Sequence, residues 1–152
     1  MASFDALLEE TGKELKTSLK PDRHRSCEIS CPNKIHVHMQ PHPHDESLLL
    51  IACTIAELPP GKYGENIMQA ALRANHVTPP YRGIFAFSKK KNSLVLCDTL
   101  SMATLTGSSF AEIIGLLSEK AQRWREAINS GVLPLPETPA AGALPPSPFG
   151  LR

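Results

Sequence analysis

The sequence carries almost no excess charge of either sign, with a formal net charge of +1 over 152 residues. A chain built to neutralise phosphates, or to sit on an acidic membrane surface, shows a basic surplus that is missing here. Aromatic residues are scarce as well, at 5%, which argues against the stacking platform that single-stranded nucleic acid needs. The longest apolar run, Leu48 to Ala56, falls short of the ~20 residues of a membrane-spanning helix. Pro60-Gly61-Lys62-Tyr63-Gly64 lacks the spacing of a glycine-rich phosphate loop, and its lysine is not followed by Ser or Thr, so no nucleotide is implied. Any partner must be recognised by shape and apolar surface.

A chain of this length is most simply one domain that can bury a sizeable core without disulfides. The cysteines Cys27, Cys31, Cys53 and Cys97 lie in or beside apolar, strand-like runs, and nothing resembling a secretory signal stands at the start. The expectation is a reduced, cytoplasmic protein with no membrane insertion.

Phe4, Leu7, Leu8, Thr11, Leu15 and Leu19 form one stripe at helical spacing, with Ser3 placed to cap the start and Pro21 expected to end the helix. SCEIS reads as a short strand running into a turn. In KIHVHMQ, Ile35, Val37 and Met39 alternate with Lys34, His36, His38 and Gln40, the period of a half-buried strand. SLLLIACTIAEL is apolar nearly throughout, which predicts a central strand covered on both faces, paired with the preceding strand as an antiparallel hairpin.

After the Leu58-Pro-Pro-Gly61 breaker, Tyr63, Ile67, Ala70, Ala71 and Ala74 resume helical spacing, with Met68 and Leu72 on an adjoining stripe. So wide an apolar surface on a short helix predicts two packing partners, its own sheet and a second subunit. After Pro79-Pro80, GIFAFSKKKNSLVLCDTL is the clearest hairpin, turning at Lys89-Lys90-Lys91-Asn92. In the last helix Ser109 and Glu112 are placed as a capping box. Phe110, Ile113, Ile114, Leu117, Ala121, Trp124 and Ile128 follow on one stripe, and Gly131 is the stop. From Val132 the composition shifts, with six of the fourteen prolines in the final 21 residues. Residues 1–131 are therefore read as an α+β domain with a mainly antiparallel sheet and 132–152 as a proline-rich disordered or extended tail.

The chemistry-bearing clusters are weak. His36, His38, His42 and His44 follow Cys27 and Cys31, and alternate strand residues can aim two imidazoles the same way. The spacing is not that of a specific zinc site, so no metal and no cofactor are assigned; the plainer reading is a solvated strand face and a loop between prolines. Cys97 with His76 or Asp98 would supply a thiol and a base, but a reactive cysteine needs a base and an oxyanion site converging in a cleft, and Cys53 and Cys97 read as core. Lys89 to Lys91 read as a solvated turn, and Trp124 as packing on the last helix. No catalytic residue is assigned.

The amphipathic FDALLEETGKEL, the strand runs KIHVHM and LLLIACTI, the LPPGKYGENIMQAALRAN linker and helix, the GIFAFSKKKNSLVLCDTL hairpin and the closing helix SSFAEIIGLLSEKAQRWREAI occur in one characteristic order. In that order, over roughly residues 3 to 130, the chain resembles the class I type III secretion chaperones, the CesT-like family of small bacterial proteins that hold effectors before export. The resemblance implies a homodimer, or a heterodimer with another chaperone. It also implies a secreted effector bound as an extended segment, delivery to export components, a bacterial cytoplasmic location and no catalysis. Family members are typically acidic, whereas this chain is near neutral, and the proline-rich tail is not a general family feature.

By position, Ile67, Met68, Ala71 and Ala74 are assigned to the dimer contact, and Leu8, Leu15, Val37 and Met39 to cargo grooves or core. Two rival readings are a cytoplasmic metal-dependent enzyme or regulator built on His36 to His44, and a structural or gating adaptor of the same export system that docks through its tail in polyproline II form.

Overall fold

The computed structural model describes residues 3–75 and 83–134. The elements run α1 (Phe4–Leu15), β1 (Cys27–Ser30), β2 (His36–Pro41), β3 (Leu48–Glu57), α2 (Lys62–Ala74), β4 (Ile84–Ser88), β5 (Ser93–Ser101), a single 3-10 turn at Met102–Thr104, and α3 (Gly107–Asn129). The five strands form one antiparallel sheet in the order β1-β2-β3-β5-β4. This is the α+β order expected from the sequence. The Pro79-Pro80 break, His76 and the tail beyond residue 134 lie outside the described residues.

The alternation read in KIHVHMQ sets the sheet's two faces. Ile35, Val37 and Met39 are fully buried, as are Leu49, Ile51, Cys53 and Ile55 on β3 and Leu94 and Leu96 on β5. Helix α3 covers this inner face through Phe110, Leu117, Ala121 and Trp124, and α1 packs on α3. The expectation that β3 is covered on both faces is corrected: its residues alternate between buried and half-buried. Leu50 and Ala52, with Val95 and Cys97 on β5, line an outer face that is only half-buried, so the apolar run of β3 exceeds what the described residues hide.

Two helix boundaries also differ from expectation. Helix α1 begins under the Ser3 cap, whose hydroxyl accepts from Ala6 N–H at 3.1 Å, but it stops at Leu15, well before Pro21. Lys16 adopts a left-handed backbone and Thr17 N–H returns to Gly12 C=O at 2.9 Å, the hydrogen bond that closes a helix end by reversing the chain. Leu19 joins the core from beyond the helix. At α3 the cap is Thr106, not Ser109. Its extended backbone lets its hydroxyl accept from Ser109 N–H while Ser109 Oγ receives Thr106 N–H. The acid is contributed from another helix: Glu10 of α1 accepts from Gly107 N–H at 3.2 Å, where a carboxylate is favoured by the helix dipole.

Arg125 ties α3 to a flaw in the sheet. The β3–β5 register shifts between Thr54 and Ala56, and the Arg125 guanidinium donates to Ile55 C=O at 2.6 Å, Thr54 C=O at 3.0 Å and Lys34 C=O at 3.2 Å. A planar fork with several donors suits such a cluster of carbonyls. Tyr63 of α2 does similar work at the same, C-terminal end of α3, its hydroxyl lying 2.6 Å from Val132 C=O and 3.1 Å from Ala127 C=O.

Candidate partner-binding surface

The two ends of the sheet differ in what their outer backbone groups are doing. Pairing within β1 and β2 alternates, and Cys31 N–H bonded to Ile35 C=O fixes the phase: Ile29 and Cys27 exchange bonds with β2, so Glu28 and Ser30 turn their peptide groups outward. Ser26, one step earlier, has its N–H on Asp22 Oδ1 and its C=O on Asp22 N–H. Among the described residues, the outward N–H and C=O groups of Glu28 and Ser30 make no hydrogen bond. Beside them the side chains of Ile29 and Cys31 are only partly buried against the core.

At the opposite end the same phase makes Phe85 and Phe87 of β4 turn their peptide groups outward. Here Asn75 reaches across from the end of α2. Its Nδ2 donates to Phe85 C=O at 2.9 Å and its Oδ1 accepts from Phe85 N–H at 2.8 Å. Gly83 N–H is held by Asp98 at 3.1 Å.

Exposed apolar side chains gather around this second end. Leu72 is 59%, Ile84 44% and Phe87 41% exposed. Phe87, Met68, Pro59, Pro60 and Gly64 border a groove of about 830 Å³ between α2 and the β4–β5 hairpin. The residues assigned from sequence divide accordingly. Ile67 and Ala71 are buried in the chain's own core, while Met68 and Ala74 are half-buried and Leu72, unassigned from sequence, stands clear. Leu8, Val37 and Met39 are fully buried core side chains, and only Leu15 of that set keeps accessible surface. Periodicity marks which side of an element is apolar, and it marks a core face and a groove face identically.

The histidines are not drawn to one point. His36 Nδ1 lies 2.9 Å from Ser30 Oγ and 3.3 Å from Glu28 Oε1, His38 pairs with Gln40, and His42 accepts from His44 N–H. Among the described residues, no three His, Cys, Asp or Glu side chains are grouped to hold a metal ion. The thiols are held protonated: desolvation raises Cys97 above its ordinary value, and burial pushes Cys53 up to about 12. A thiolate nucleophile needs the opposite shift, and His76, the base considered for Cys97, lies outside the described residues.

The family profile described as "Tir chaperone protein (CesT) family" matches residues 6–125. The chain belongs to that family. The match spans α1 to most of α3, so the β1 edge and the α2–β4 end both lie within the part of the chain that this chaperone family shares. No curated protein sequence matches the chain. Among solved structures, it is similar to the Yersinia pestis type III secretion chaperone SycH in complex with a stable fragment of YscM2, at 20% identity and a TM-score of 0.65, covering 78% of this chain and 97% of that one. The HopA1–SchA chaperone–effector complex matches at 16% identity and a TM-score of 0.67, covering 82% and 94%. The heterodimeric ExoU–SpcU complex from the type III secretion system of Pseudomonas aeruginosa matches at 14% and 0.62, covering 83% and 98%. These likenesses establish a shared CesT-family fold. No described helix is long and apolar enough to cross a membrane.

Proposed function

We propose that the protein is a cytoplasmic type III secretion chaperone that holds a segment of a secreted effector in extended form until it is handed to the export apparatus. The observation that carries this reading is the β1 edge. Outward peptide groups at Glu28 and Ser30 offer main-chain hydrogen bonds to an added strand, and the partly buried Ile29 and Cys31 beside them offer apolar contact. Structural relatives solved with a bound partner, among them the HopA1–SchA chaperone–effector complex, support it. Ordering a disordered cargo costs about 2–5 kcal/mol of the interaction energy, so further apolar contacts along the wrap are part of the proposal, with Leu15 at the rim of the core as one of them.

Proline at Glu28 and Ser30 tests the edge. Neither residue's N–H serves the β1–β2 ladder, so proline there deletes the outward donors and leaves internal pairing in place. Wild-type chain purified from its own bacterium is expected to retain a secreted protein through a short segment that resists protease while bound. The Glu28→Pro/Ser30→Pro variant is expected to lose that protein while keeping its fold by circular dichroism. Retention of the same protein by the variant overturns the reading.

The second half of the proposal is a homodimer through the α2–β4 end, where Leu72, Met68, Ile84 and Phe87 supply apolar surface. Leu72→Asp combined with Met68→Asp is expected to halve the mass in light scattering. An unchanged dimer mass would place the contact elsewhere. Ile67→Asp is the wrong probe, because Ile67 is fully buried and a charge there unfolds the subunit.

A further inference from the structure

An edge strand exposes a row of unpaired backbone groups that will accept another strand unless something stands in the way. Among the described residues, the obstruction on β4 is a single side chain. The Asn75 amide presents a donor and an acceptor to Phe85 at 2.9 and 2.8 Å, the same two bonds that a neighbouring strand would make. With Gly83 N–H held by Asp98, Phe87 is the one β4 residue whose outward peptide groups stay unbonded among the described residues. One open residue is too short a footing for a strand.

We propose that Asn75 is a lock that keeps the β4 edge closed, and that the partner it excludes is a second copy of β4 from another molecule of the same chain. The strand itself points to that occupant. Ile84-Phe85-Ala86-Phe87-Ser88 carries no charge and no proline, the composition of segments that pair with themselves, and Ile84 and Phe87 are already exposed. Freed of Asn75, two copies meet antiparallel across a two-fold axis centred on Ala86. Phe85 of each copy then exchanges hydrogen bonds with Phe87 of the other, and the two Ala86 side chains lie directly opposite. Asn75 thus leaves β1 as the edge open to an extended chain and keeps dimerisation on the α2–β4 apolar face, away from an edge that would link copies into a continuous sheet.

The test uses the full chain without any cargo, so its failure leaves the chaperone reading standing. Asn75→Ala is expected to produce species heavier than the native assembly in sedimentation velocity, growing with concentration. Adding Ala86→Lys is expected to return the mass to native, because it sets two ammonium groups opposite each other across the axis while changing a side chain that is exposed in the subunit. In that double variant the Phe85 amide is expected to exchange with deuterium about tenfold faster than in wild type, the loss of one hydrogen bond. Native mass for Asn75→Ala at every concentration overturns the proposal, and so does association that Ala86→Lys fails to reverse. Should Asn75→Ala fold poorly, Asn75→Gly replaces it, a residue suited to a helix end that removes both bonds to Phe85. The same Ala86→Lys-reversible mass shift supports the lock, and its absence overturns it.

Discussion

Trp124→Ala is expected to lower the folding stability by about 4 kcal/mol, the range for deleting a buried aromatic side chain. Trp124 is 4% exposed and its ring centroid lies 4.2 Å from that of Phe85, tilted by 42°. This contact joins α3 to β4, a strand with a sheet partner on one side only. Little else can close over the void, because the neighbouring α3 core positions Leu117 and Ala121 are themselves completely buried. Against a typical total of about 5–15 kcal/mol, the loss brings the chain close to unfolding. A urea titration of variant and wild type reads it as a fall in midpoint at unchanged slope. A loss below about 1 kcal/mol would mean that the pair is not the joint described here.

Gly107→Ala is expected to cost about 3 kcal/mol, at the upper end of overpacking penalties. Gly107 opens α3 where α1 crosses it, and an added methyl would sit 2.6 Å from Glu10 Cβ, 2.7 Å from Glu10 C and 2.9 Å from Glu10 O. Two of those atoms are backbone within a helix, so relief requires moving α1 bodily, which also stretches the bond from Gly107 N–H to the Glu10 carboxylate. Gly115, in the same helix, is the control. Nothing lies within 4 Å of its added methyl, so Gly115→Ala is expected to stabilise by about 0.5–1 kcal/mol through helix propensity. Opposite signs for the same chemical change separate crowding from propensity. Equal signs would show that α1 yields freely.

Much of this architecture is written in periodicities. The alternation at Ile35, Val37 and Met39 and the stripe from Phe110 to Ile128 place strand and helix correctly because burial repeats along each element. What escaped depends on single side chains acting at a distance in sequence. The α3 cap sits at Thr106, whose reciprocal bonds with Ser109 are local and legible in Thr106-Gly-Ser-Ser109, whereas the carboxylate at that helix start comes from Glu10 of α1, which no local pattern encodes. Asn75 reads as an ordinary helix end; its role exists only once β4 lies beside it. The same limit explains Leu8, Val37 and Met39, legible as apolar-facing but not as core rather than groove.

The β1 edge has a kinetic corollary. Glu28 and Ser30 lie two residues apart, about 7 Å along a strand, so a guest chain is gripped there by very few main-chain bonds, each worth about 1 kcal/mol net. Main-chain bonds that few would release one at a time, so on the proposed reading the apolar contacts along the wrap, rather than this edge, set how tightly a guest is held.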